Sequence, residues 1–187
     1  MKYFIGLLCF FFSVVESKEW NYLNTAPLHA RYAIAAHYLK NCSEVIEIGG
    51  YKTPIDLFLQ NHSKVYVIDP LISPKCTEDV IYYNCSLKNS PKFIPESPFG
   101  LVILGLCLQD MDADTYAYLY ELVDKATTVV IEFSSEWQPA KEMFDRILNN
   151  SKKKISISIG LDFTKNPIES GPDGWPPLLL REMYVLE

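Results

Sequence analysis

The sequence predicts a three-layer α/β sandwich: a mostly parallel sheet with helices on both faces and a C-terminal hairpin that turns one strand antiparallel. Three observations carry this. A continuously apolar run over residues 99–104 and a β-branched one over 127–133 alternate with segments of helical periodicity, the pattern of strands buried on both faces. The last two apolar runs, 155–163 and 178–186, are joined by a Pro- and Gly-rich stretch with no helical pattern, so they can pair as a hairpin. At 187 residues and 49% hydrophobic content, the chain supplies one sizeable core and too little for two ordinary domains.

The elements follow in order. Lys2 precedes an uncharged apolar run from Tyr3 to Val15, and the small residues before Lys18 suit cleavage after Ser17. A membrane-spanning helix needs about 20 apolar residues, so residues 1–17 are expected to be a removed signal peptide. That leaves 18–187 as a single exported domain without a stable membrane anchor. Thr25, Ala26 and Pro27 open a helix whose Leu28, Tyr32, Ala35, Tyr38 and Leu39 recur at helical spacing up to Asn41. Residues 44–50 read as a strand ending in a glycine turn. Thr53 and Pro54 are an N-cap and first-turn proline for a helix over 55–61. Strands are expected over 64–69, stopped by Asp69-Pro70, and over 80–84. After the strand 99–104 comes a helix over 112–125, through Tyr116, Leu119, Tyr120 and Val123. A β-branched strand spans 127–133, and Ser135 is expected to cap a helix carrying Trp137, Met143, Phe144, Ile147 and Leu148.

Composition narrows the function classes. Lys+Arg total 17 against Asp+Glu 23, a net charge of -6 without a basic stripe, which disfavours nucleic acid as a partner. Cys42, Cys76, Cys85 and Cys107 show neither CxxC spacing nor a nearby His, so no metal site is expected. Asn41, Asn61, Asn84 and Asn149 each head a glycosylation sequon, meaningful only in a eukaryotic secretory pathway.

This order of elements resembles the class I S-adenosylmethionine-dependent methyltransferases, a Rossmann-like fold, over roughly residues 25–187. Two local signatures carry the resemblance. Glu47, Ile48, Gly49 and Gly50 look like the family's first motif, an acidic residue leading into a glycine turn. Asp69 matches the acid that holds the ribose hydroxyls, 22 residues beyond Glu47, close to the ~20 of a βαβ nucleotide site. Glycine lets main chain approach a ligand, and a carboxylate accepts two hydrogen bonds from a diol.

The resemblance implies S-adenosylmethionine as cofactor. It implies Glu47, Gly49, Gly50 and Asp69 as cofactor-binding residues, with Asn84 and Cys85 where the family contacts adenine. Glu47 and Asp69 can equally be strand-end carboxylates facing solvent, and Asn84-Cys85 a plain turn. The implied sheet order also sets Cys76 and Cys85 beyond neighbouring strands, so a disulfide, if one forms, is expected between them. His29 and a lid containing Trp175 are weaker candidates near the mouth, and Gln109 and Asp110 for orienting a substrate.

The chain also departs from the pattern. Tyr51 and Lys52 follow the paired glycines where more glycine is usual. The missing GxGxxG argues against a pyrophosphate-bearing dinucleotide. Residues 105–110 lack the Asn/Asp-Pro-Pro-aromatic tetrapeptide of amino-methylating members. No catalytic residue stands out. The reading is methyl transfer to an unidentified small molecule; the alternative is an inactive module that keeps the fold and binds an unidentified protein.

Overall fold

A computed structural model of the chain describes residues 26–50, 55–59, 64–70, 78–104, 112–162 and 180–187. The expected signal peptide, Tyr51 and Lys52, Cys76, Cys107, Gln109, Asp110 and Trp175 lie outside them. Helix α1 (Ala26–Leu39) leads into strand β1 (Glu44–Ile48), followed by β2 (Lys64–Ile68), β3 (Val80–Tyr83), β4 (Phe99–Leu104), helix α2 (Ala113–Lys125), β5 (Thr128–Phe133), helix α3 (Gln138–Asn150), β6 (Ile155–Asp162) and β7 (Leu180–Leu186). The seven strands form one sheet in the order β3-β2-β1-β4-β5-β7-β6. Among the described strands β7 runs opposite to the other six, inserted between β5 and β6. The hairpin read from the helix-free connection is therefore present.

Alternation along the strands builds two cores. Val45, Val65, Val67, Val102 and Val130 face α1, whose Tyr32, Ala35 and Leu39 cover them. Ile46, Ile48, Ile68, Leu101, Ile103 and Ile131 face the other way, against Leu119, Leu122 and Val123 of α2 and Phe144 and Ile147 of α3. Every residue of β4 is buried, as the centre of a doubly covered sheet requires. Gly100 on β4 is fixed by packing: a Cβ there would press on Leu39 Cδ2 and lie 2.9 Å from Cys42 Sγ. Gly100→Ala is expected to destabilise the fold by about 1–3 kcal/mol through overpacking, measured as a lower urea midpoint.

Two local expectations are corrected. Of the helix expected over 55–61, the described residues 55–59 form a single 3-10 turn, Ile55–Leu57. It closes through the Phe58 and Leu59 N–H groups on Ile55 O, with Phe58 stacked on Tyr32. Its apolar residues thus dock one turn rather than form a helical face. Helix α3 is capped by Trp137, not Ser135. Pro139 sits in its first turn, where a missing N–H is harmless. The preceding helix has its expected start: Asp112 caps α2, accepting from Thr115 N at 2.9 Å.

Candidate functional site

In a parallel α/β sheet, ligands bind beyond the carboxyl ends of the strands, where strand order reverses. Here the reversal lies between β1 and β4, which run side by side with Ile48 level with Ile103. On the other side of β1, the register sets Ile48 level with Ile68, and Ile68 level with Tyr83. The next residue of each strand therefore lies on one edge: Gly49, Asp69 and Asn84. Main chain fixes the row, because Gly49 N–H donates to Ile68 O at 3.0 Å and Asp69 N–H to Tyr83 O at 3.1 Å. Two strand spacings give the row a length of about 10 Å.

Each member has a distinct environment. Gly49 has a φ of 88°, the left-handed region that favours glycine, and it ends β1 there. Asp69 is only 6% exposed, whereas Asn84 is exposed. Cys85 is half-buried, and its N–H turns back onto Tyr83 O at 2.8 Å. It carries a free thiol, as does Cys42, so the Cys76–Cys85 bridge is not formed in this structure. Burial pushes the Cys85 thiol pKa up, away from a reactive thiolate.

Gly50 serves the interior. A Cβ on it would lie 2.6 Å from Val67 Cγ1 and 2.8 Å from Glu47 Oε2. Glu47 does not face solvent at all, being 0% exposed. Its Oε2 accepts the Ile55 N–H at 2.7 Å, and its Oε1 has no hydrogen-bond partner. Burial pushes its pKa up to about 8; the Ile55 N–H opposes this, the charges of Asp56 and Asp69 add to it, and Arg31 opposes it. An unsatisfied buried oxygen therefore lies next to the glycine turn, and a glycine turn followed on the next strand by Asp69 fits a group carrying a ribose.

That raised pKa has a consequence for stability. Between the ordinary value of 4.5 and about 8, the folded chain keeps a proton that the unfolded chain releases. Stability contributed by this group is full below that window and falls as pH rises through it, by about 1.4 kcal/mol per pH unit. Glu47→Gln lacks the titration, so its stability relative to the wild-type protein is expected to rise by that slope across the window. Urea titrations at several pH values measure it.

Sequence reading missed a second polar cluster on the same face. Arg31 Nη1 on α1 meets Glu132 Oε2 at 2.9 Å, and Arg181 Nη1 on β7 meets Glu132 Oε1 at 2.7 Å. All three residues are buried. The available signal was Glu132 itself, a charge inside the apolar strand β5, since charged side chains are rarely fully buried unless paired. The cluster ties α1 to β5 and β7. His29, the candidate near the mouth, lies edge-on to Phe58 with ring centroids 5.7 Å apart. Among the described residues no His, Cys, Asp or Glu cluster is able to hold a metal ion, and no helix is long and apolar enough to cross a membrane.

No protein-family model matches the sequence, and no curated protein matches it. Solved structures do resemble it. The N-methyltransferase NodS from Bradyrhizobium japonicum WM9, in complex with S-adenosyl-L-homocysteine, superposes with a TM-score of 0.60 at 9% identity, covering 89% of this chain and 90% of that one. The methyltransferase domain of bacterial CtHen1-CN gives 0.52 at 12% identity, covering 86% and 98%. An rRNA methylase from Streptococcus thermophilus gives 0.50 at 14% identity, covering 86% and 96%. An RNA-modifying enzyme among these neighbours means that the fold does not separate small-molecule from nucleic-acid substrates. The likeness is one of architecture: the chain has the fold of the class I S-adenosylmethionine-dependent methyltransferases.

Proposed function

We propose that this protein binds S-adenosylmethionine at the edge formed by β1, β2 and β3 and transfers its methyl group to a small molecule. The observation that supports this best is the row Gly49, Asp69, Asn84, set level by the strand register beside the point of order reversal. Asp69 presents a carboxylate for the ribose diol. Gly49 offers main chain without a Cβ, and Asn84 and Cys85 stand where an adenine ring would reach. Bound S-adenosylmethionine supplies an activated methyl group on a sulfonium. The chain's own contribution is to hold donor and acceptor in line, which lowers the barrier by proximity alone.

The small-molecule assignment rests on the net charge of -6, which opposes a polyphosphate backbone. Export after cleavage at Ser17 belongs to the same reading, supported by the apolar leader 3–15. The test is incubation of the protein with methyl-labelled S-adenosylmethionine and separate small-molecule and RNA fractions. Label is expected in the small-molecule fraction. Label confined to RNA would overturn the substrate class, and no transfer to either fraction would overturn the enzymatic reading.

A further inference from the structure

The glycine turn at the end of β1 covers a carboxyl group. Glu47 is fully buried, with one oxygen on the Ile55 N–H and the other on no donor. The charged groups that act on it come from each side: Asp56 from the 3-10 turn, Asp69 from β2 and Arg31 from α1. Full burial, with two carboxylates against one guanidinium, favours the protonated acid. The place a Cβ of Gly50 would take is 2.8 Å from Oε2, so this acid lies directly beneath the main chain over which the proposed cofactor would seat.

Resting on the reading above, we infer that Glu47 is a proton store for the site: it holds a proton in the free protein and releases it when a cationic ligand seats over the glycine turn. One positive charge replaces another. The proton leaves the carboxyl oxygen for solvent, the carboxylate remains, and no bond of the ligand changes. S-adenosylmethionine, with sulfonium and ammonium against one carboxylate, carries a net positive charge and drives the exchange. Adenosine is neutral and does not. Glu47 thereby selects the charged methyl donor over neutral nucleosides, and it does so more strongly as pH rises toward the point where the free protein loses the proton unaided. Between about pH 6 and 7.5, affinity for S-adenosylmethionine is expected to rise by up to tenfold per pH unit, while affinity for adenosine stays level.

Calorimetric titration of the full chain at pH 7, in phosphate and in Tris, tests this, because the two buffers differ in ionisation enthalpy and their difference in heat counts protons. Close to one proton released per S-adenosylmethionine is expected, and close to none for adenosine or for S-adenosylmethionine with Glu47→Gln. If that variant fails to fold, the wild-type comparison of S-adenosylmethionine with adenosine still decides. S-adenosylmethionine binding without proton release, or equal release by adenosine, overturns the inference and leaves the cofactor reading standing. No binding of S-adenosylmethionine or S-adenosylhomocysteine overturns both.

Discussion

Glu132→Ala is expected to destabilise the protein by about 3–5 kcal/mol, because it leaves two buried guanidiniums without their shared carboxylate. Arg31 and Arg181 reach Glu132 from different elements, at 2.9 and 2.7 Å, on different oxygens. Exposed pairs behave differently. The Lys88–Asp112 bridge at 2.7 Å is solvated on both sides, and removing it through Lys88→Ala is expected to leave the urea midpoint almost unchanged. Denaturant unfolding of both variants gives the contrast. A loss for Glu132→Ala as small as that for Lys88→Ala would mean that water reaches the cluster.

Asp69→Ala is expected to weaken S-adenosylmethionine binding about a hundredfold or more, with the fold retained. Two ribose hydroxyls donating to one carboxylate make two charge-assisted hydrogen bonds, each contributing about 1.5–3 kcal/mol. Removing both corresponds to at least two decades of affinity. Asp69→Asn keeps one acceptor oxygen and is expected to lose roughly tenfold. The main-chain bond from Asp69 N–H to Tyr83 O survives either change, so circular dichroism should show the wild-type fold. A well-folded Asp69→Ala protein with wild-type affinity would place the ribose elsewhere.

Much of this architecture was legible because its signals are local. The valine- and isoleucine-rich runs of β1, β2, β4 and β5 mark strands buried on both faces. The Pro- and Gly-rich sequence before β7, without helical periodicity, marks the antiparallel strand. Asp69 was legible as a carboxylate one step beyond an apolar run, and the register confirms its place level with Gly49. The fate of residues 55–59 was not legible: Ile55 and Phe58 have apolar spacing that suits a helix, but their partners, Glu47 and Tyr32, come from β1 and α1. Long-range pairing also hid the arginine cluster, since Arg31 and Glu132 lie 101 residues apart and Arg181 a further 49 on. The burial of Glu47 was hidden for the same reason. A strand-end acid reads alike whether it meets water or is buried against the main chain at Ile55.

The most direct measurement is isothermal titration of the purified chain with S-adenosylmethionine and with S-adenosylhomocysteine, alongside Asp69→Ala. Saturable, one-to-one binding of both ligands to the wild-type protein, lost in the variant, is the expected result. A folded wild-type protein that gives no heat and no thermal shift with either ligand would contradict it.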